Sequence, residues 1–374
     1  MKIPKIRFSR FSEEWKEDKL SNVCKVNPNS GILPEKFIYI DLESVENGLL
    51  LKENYIDLSD APSRAQRQLI KDDILFQTVR PYQKNNFYFD KIDTEFKYVA
   101  STGYAQLRAN EDSKFLYQYL HTQNFVNNVL EKCTGTSYPA INSSDLSKII
   151  IYKPSLEEQQ KIGDFFTLLD KRIEQQEQKI ALLKDYKKAM MQKIFSQKIR
   201  FKDDNGNDYP DWEEKKLGKI CRVKSSQLTN NVVEEIGKYP VYGANSIVGY
   251  TENYEVNKYV SIVKDGAGVG RIAFINNKSS VLGTLQYLIG IEITTEFLYV
   301  LLSNVNFKLY QTGTTIPHIY FKDYSKMIID IPCQLEQEKI SSFLFAMDLN
   351  LENQEAILNN LKEQKQGLLR KMFV

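Results

Sequence analysis

From Leu156 to Phe195 the apolar residues return in alternating steps of four and three: Ile162, Phe166, Leu169, Ile173, Gln176, Ile180, Leu183, Lys187, Met190, Ile194. Almost everything between them is Glu, Gln, Lys or Asp, so the pattern predicts one long heptad helix with a single apolar seam. The same seam returns 178 residues later as Ile340, Leu344, Met347, Leu351, Gln354, Leu358, Leu361, Lys365, Leu368 and Met372. Its polar interruptions fall in the same places, Gln176 matching Gln354 and Lys187 matching Lys365. A polar seam residue costs stability and fixes register, so its recurrence predicts two helices made to pair. About 39 residues at about 1.5 Å rise give a helix roughly 60 Å long, more than a core helix needs.

The repeat extends beyond the helices. Residues 5–26, KIRFSRFSEEWKEDKLSNVCKV, match 198–223, KIRFKDDNGNDYPDWEEKKLGKICRV, with Trp15 aligned to Trp212, Leu20 to Leu217 and Cys24 to Cys221. TGTSYPAI (134–141) matches TGTTIPHI (312–319), and from there the copies run without a gap to KIF and KMF, with about 25 of 62 positions identical.

Between these blocks the copies differ. Residues 27–133 read as short strands (FIYIDLESV, YIDL, ILFQTVRPY, FYFD, YVASTGYAQL) around a polar SDAPSRAQRQLIKDD, followed by one helix, SKFLYQYLHTQNFVNNVLEK. Residues 224–311 give VYGANSIVGY, YVSIVKDGAGVGRIAFI, SVLGTLQYLIGI and a helical EFLYVLLSNVNFKLYQ. Alternation and Gly-rich turns make both mostly β with flanking helices. The expected class is α+β: two mixed, mostly β globular domains (1–153 and 198–331) separated by two long antiparallel coiled-coil helices (154–197 and 332–374), with an internal pseudo-two-fold repeat. Antiparallel pairing follows from connectivity, because the second domain must meet the end of the first helix and the start of the second. The chain termini should then lie close together.

Composition supports two folded domains: 374 residues, 12% aromatic, with no low-complexity stretch. The polar start MKIPKIRFSRFSEEW and the lack of a long apolar run lead us to expect a cytoplasmic protein rather than a membrane one. The four cysteines, Cys24, Cys133, Cys221 and Cys333, have no C-x-x-C spacing and read as reduced thiols. With 50 basic and 48 acidic residues there is no global basic footprint, so attraction to nucleic acid must come from local patches.

Catalytic and metal-binding sets are not expected. The two histidines, His121 and His318, have no partner at ligand or triad spacing. Asp90 with Glu95 and Lys97 is too short a pattern to indicate a nuclease. Gly266, Gly268 and Gly270 break the G-x-G-x-x-G pattern at Arg271 and precede a strand-like RIAFI, so they read as a turn allowing close backbone approach. No Walker A loop and no Asn-Pro-Pro-Tyr-like tetrapeptide is present. Binding remains. Arg64, Arg67, Lys71, Gln77, Arg80, Tyr82, Lys84, Asn85 and Asn86 gather guanidinium, amide and aromatic groups suited to base edges and phosphates. Asn245, Ser246, Lys264, Arg271, Asn276 and Asn277 form a sparser set in the second domain. Thr134, Thr136, Ser137, Thr312, Thr314 and Thr315 of the TGT loops are candidate phosphate donors, or simply part of the turn into a P-x-I strand.

The combination resembles the specificity (S) subunit of type I restriction-modification systems over essentially the whole chain. It is carried by the W-x-x-x-x-L motif at Trp15/Leu20 and Trp212/Leu217, the TGT-x-x-P-x-I blocks, the helix starts from Pro154 and Pro332, and the KIF/KMF ends. The resemblance implies a DNA-reading subunit with no active site of its own. Two target-recognition domains would each read half of a bipartite double-stranded DNA site, while the helices set their separation and dock methyltransferase (modification) subunits. It places S-adenosylmethionine in those partners, and ATP with magnesium in restriction/translocase subunits. The alternative is a coiled-coil scaffold whose end domains bind proteins.

Overall fold

The computed structural model describes residues 2–92 and 94–374. The chain divides into two compact units, Met1–Gln178 with Ala356–Val374, and Lys179–Glu355.

The first unit contains β1 (Lys16–Lys19), β2 (Cys24–Val26), β3 (Lys36–Ile40), β4 (Asn54–Asp57), β5 (Ala65–Gln68), β6 (Asp73–Gln77), β7 (Phe87–Tyr88), β8 (Lys97–Ser101) and β9 (Tyr104–Ala109). Helices α1 (Ser113–Leu120) and α2 (Gln123–Leu130), strand β10 (Ile150–Lys153) and the first part of α3 (Leu156–Phe195) follow. One sheet has the antiparallel order β2-β9-β6-β7; a second, β4-β3-β8-β5, pairs β3 with β8 in parallel; β1 and β10 form an antiparallel ribbon. β6 is buried at every position because it divides two cores: Ile74 and Phe76 pack with Trp15 and Phe115, and Leu75 with Ile38 and Tyr98. A strand covered on both faces carries a continuous apolar run rather than an alternation. The single helix expected over 113–132 is two. Thr122, with extended backbone angles, accepts a hydrogen bond from the Phe125 amide and caps α2 afresh.

The second unit holds β11 (Glu213–Lys216), β12 (Cys221–Ser225), β13 (Tyr239–Tyr242), β14 (Ile247–Thr251), β15 (Tyr259–Val263), β16 (Ile272–Ile275), β17 (Ser280–Val281) and β18 (Leu285–Gly290). It also holds α4 (Thr295–Ser303), β19 (Ile328–Ile331) and the first part of α5 (Gln334–Met372). Its sheets are β12-β18-β15-β16 and β14-β13-β17, with β13 and β17 parallel, plus the ribbon β11-β19. Strand for strand this is the first unit again, and among the described residues only β5 and a short hairpin over Val45–Glu46 and Leu49–Leu50 have no counterpart. The topology therefore repeats even through 27–133 and 224–311, where the residues diverge. Pleat, burial and register need apolar positions with the right period, not identical side chains. The second expected helix is likewise cut short. α4 ends at Ser303, and Asn306 caps a separate 3-10 turn over Phe307–Tyr310.

In the first unit Phe373 stacks on Phe115 at 5.5 Å and meets Trp15 edge-on at 6.0 Å, while the Ile6 amide donates to the Lys371 carbonyl at 2.9 Å. The terminal segments are therefore adjacent, as connectivity required. In the second unit Phe195 takes the place of Phe373, packing on Trp212 and Phe297, and the Ile199 amide donates to Lys193 at 3.2 Å.

Within each unit the two long helices pair antiparallel. In the first, Asp170 bonds Lys365 and Glu177 bonds Lys362; in the second, Lys187 bonds Asp348 and Lys184 bonds Glu355. In both, residue numbers rise on one helix as they fall on the other. Ile162, Phe166, Ile180, Ile194, Ile340, Leu344, Leu361 and Met372 of the seam are buried, and the remaining seam positions, Gln176 and Gln354 included, are half-buried. Among the described residues no helix is long and apolar enough to cross a membrane.

Candidate nucleic-acid interface

In the first unit the TGT loop is closed by a pair of backbone hydrogen bonds between Thr134 and Ala140, at 2.9 and 3.0 Å, and turns through Gly135 at φ +89°. A Cβ at Gly135 would lie 3.1 Å from the Tyr138 carbonyl oxygen in a backbone region that L residues avoid. The loop docks on the end of β6: the Ile141 amide donates to the Thr78 carbonyl at 3.0 Å and the Arg80 amide to the Pro139 carbonyl at 2.7 Å. Thr78 Oγ1 donates to the Gly103 carbonyl at 2.8 Å, and the Thr102 amide to the Arg64 carbonyl at 2.9 Å. Arg64, the β8–β9 turn, Thr78–Arg80 and the TGT loop thus converge at one end of the sheets. Thr134, Thr136 and Ser137 are exposed there. The Arg80 guanidinium lies 4.2 Å over the ring of exposed Tyr138, a partner that no spacing rule in the sequence indicated.

The remaining candidates of this unit scatter. Gln77 and Asn86, expected to face base edges, are buried instead. Asn86 Oδ1 accepts from the Gln77 amide at 2.9 Å, Gln77 Oε1 from the Asn85 amide at 3.2 Å, and Gln77 Nε2 donates to Gln83. Lys84 donates to the His121 carbonyl at 3.0 Å and to Gln123, with burial lowering its pKa. These side chains close the β6–β7 connection onto α1 and α2, and that correction removes them from the surface set. Asn85 is half-buried and accepts from the Asn47 amide; Tyr82 is exposed. Arg67 is half-buried on β5, where burial lowers its pKa, and Lys71 stands at the opposite end of β6 from Arg80. Neither joins the cluster around the TGT loop.

The second unit repeats the frame. Thr312 and His318 exchange backbone hydrogen bonds at 2.9 and 2.8 Å, Gly313 sits at φ +87°, the Ile319 amide donates to Lys264 at 2.9 Å and the Gly266 amide to Pro317 at 3.0 Å. Thr312, Thr314, Thr315, Ile316 and Tyr320 are exposed. Gly266, Gly268 and Gly270 form the β15–β16 hairpin loop at positive φ, so no helix follows them and the turn reading holds. Arg271 donates to Asn245 Oδ1 and to the Ala244 carbonyl, joining the β13–β14 turn, with exposed Ser246, to this loop. Asn276 and Asn277 lie at the far end of β16, Asn277 donating to the Tyr242 hydroxyl.

His318, without a partner at any motif spacing, has one in space: its Nδ1 lies 2.9 Å from Asp265 Oδ1, and Lys264 Nζ lies 3.1 Å from Asp265 Oδ2. Burial resists ionisation of Asp265, but the bonds to His318 and Lys264 outweigh it and hold the carboxyl below its ordinary pKa. Among the described residues no group of three His, Cys, Asp or Glu side chains could hold a metal ion.

Three comparisons bear on this arrangement. The family described as the type I restriction modification DNA specificity domain matches residues 12–185 and again 209–363. The type I restriction enzyme HindI specificity subunit of Haemophilus influenzae is 27% identical over 176 residues, 43% of this chain and 36% of that protein. The MjaIX specificity subunit of Methanocaldococcus jannaschii is 22% identical over 293 residues, 70% of this chain and 68% of its own length. The EcoDI specificity subunit of Escherichia coli is 26% identical over 42% of this chain, which spans 37% of that protein. The chain thus spans little more than a third of two of these relatives. In fold it is similar to the crystal structure of a type I restriction-modification system S subunit from M. genitalium, with TM-score 0.66 and 19% identity over 100% of this chain and 99% of that one. It is also similar to a chain from a structural study of type I restriction-modification complex assembly, with TM-score 0.58 and 23% identity over 96% and 97% of the two chains. With the same duplicated fold matched across both units, the chain belongs to the type I restriction modification DNA specificity family.

Proposed function

We propose that this chain is the sequence-reading subunit of a type I restriction-modification complex and that each unit reads one half of a bipartite double-stranded DNA target. The observation that carries the proposal is the duplicated loop frame: in each unit an exposed Thr-rich TGT loop is locked by equivalent backbone bonds to the end of the central strand, β6 or β15, with Arg80 lying over Tyr138 of the first loop and Arg271 standing in the β15–β16 loop on which the second docks. Thr and Ser hydroxyls position a protein on phosphates, while arginines read base edges. The side chains on the two frames differ, as two different half-sites require.

In this proposal residues 1–153 and 198–331 are the target-recognition domains, and the helices over 154–197 and 332–374 space them and dock modification subunits. Those partners supply S-adenosylmethionine and the methyl-transfer site, and restriction/translocase subunits supply ATP and magnesium chemistry. This chain positions the assembly on DNA. The test is reconstitution: the chain alone should neither methylate nor cut, and adding the modification subunit should give methylation of a split sequence. Methyl transfer by the chain alone with S-adenosylmethionine, or a methylation pattern indifferent to this chain, defeats the proposal.

A further inference from the structure

The two units hold the same backbone frame but present opposite chemistry on it. Thr78 and Lys264 both accept a hydrogen bond through their carbonyls from the residue after the TGT loop, Ile141 or Ile319. Arg80 and Gly266 both donate their amides to the loop proline, Pro139 or Pro317. Val79 and Asp265 both pair with the loop's closing residue, Ala140 or His318. Thr78-Val79-Arg80 and Lys264-Asp265-Gly266 are therefore equivalent triplets. The first carries a lone guanidinium supported on Tyr138; the second carries a carboxylate, with Lys264 of the same triplet paired to it.

An acidic side chain beside phosphates is repelled unless its charge is balanced and it has something to accept. Both conditions are met at Asp265. Lys264 balances the charge at Oδ2, and His318, whose ring lies near-parallel to Tyr320 at 6.3 Å between centroids, fixes Oδ1. A carboxylate has about four acceptor positions, and two partners use only half of them. The Asp265 side chain is 34% exposed, among the exposed threonines of the loop.

We infer that Asp265 is a base-reading residue of the second unit, accepting a hydrogen bond from the exocyclic amino group of a cytosine or adenine in the major groove, where Arg80 in the first unit donates to a guanine. The inference rests on the DNA-reading role proposed above and adds the hydrogen-bonding polarity of each half-site. Carboxylates suit amino groups and guanidinium suits guanine O6 and N7 because of where the major groove places its donors and acceptors.

The experiment uses the full chain assembled with its modification subunits and a pool of duplexes randomised over about 20 base pairs, enough for two half-sites one helical turn apart. Wild type, Asp265→Asn and Arg80→Ala complexes are each selected against the pool, with melting curves confirming that all three are folded. Wild type should require an amino-bearing base at one position in one half. Asp265→Asn should lower that preference by roughly 5- to 150-fold and leave the other half unchanged, and Arg80→Ala should relax a guanine in the other half by a similar factor. The identity of the base lost separates cytosine from adenine. An Asp265→Asn complex that binds more weakly but keeps every base preference overturns the inference and leaves the His318 pair a loop latch. A wild-type complex that selects no sequence instead overturns the DNA-reading role beneath it.

Discussion

Arg7 clamps Glu158 with two hydrogen bonds of 2.7 Å across 151 residues of chain, and the carboxylate it holds is 1% exposed. Arg200 holds Glu336 in the same way, and Glu336 also accepts from Trp212 Nε1 at 3.0 Å. In each unit this pins the KIRF segment to the first turn of a long helix, where a carboxylate also suits the helix dipole. Truncating the arginine strands a buried charge, so Arg7→Ala or Arg200→Ala should destabilise its own unit by about 3–5 kcal/mol. Replacing both partners by apolar residues, Arg7→Met with Glu158→Leu, should recover most of that loss. Denaturant unfolding followed by hydrogen exchange in each unit measures both outcomes.

The helix ion pairs make a second prediction. Lys187 with Asp348 and Lys365 with Asp170 are partly exposed, so each pair should contribute only about 0.2–1 kcal/mol, falling with added salt. Lys187→Glu should cost more than that by placing like charges together, and Asp348→Lys in the same chain should restore stability. A double-mutant cycle with no coupling would show that the pair does not set helix register.

Stability should also depend on pH through His121. Its ring is packed between the Tyr117 carbonyl, 2.7 Å from Nδ1, and Asn86. Burial, aided by the charge of Lys365, lowers its pKa to about 4 against an ordinary 6.5. Between those values the unfolded chain takes up a proton that the folded chain refuses. This group's contribution is therefore complete above about pH 6.5, declines as pH falls toward about 4, and changes no further below. Melting temperature against pH should fall less steeply through that window in His121→Asn than in wild type.

Much of the fold was legible because the repeat exposes it. Seam spacing announced α3 and α5, and the matched Trp15/Trp212 and KIF/KMF blocks announced two equivalent cores. The break at Thr122 was not legible, since a capping threonine inside an apolar periodic run looks like a helical residue until its backbone is seen. The candidate interface was half legible. Arg64, Arg80 and the TGT loops do converge, but amides such as Gln77 and Asn86 serve a turn as readily as a base, and composition does not say which. The Asp265–His318 pair was hidden because 53 residues separate its members.

Those placements separate the proposed reading residues from supporting ones. Asn86→Ala leaves the Gln77 amide unpaired and should cost about 1–3 kcal/mol of stability without changing base preference. Arg80→Ala should do the reverse. Lys71→Ala, at the far end of β6, should change neither. Paired melting curves and binding to mismatched duplexes distinguish the three.

The central claim is that each unit reads its own half of a split target. Replacing residues 224–311 with the corresponding segment of a family member and mapping methylated bases in a host genome tests it most directly. The account predicts a bipartite site with an unread spacer, in which the swap rewrites one half and leaves the other intact. A continuous recognition sequence, or a swap that changes both halves together, would contradict it.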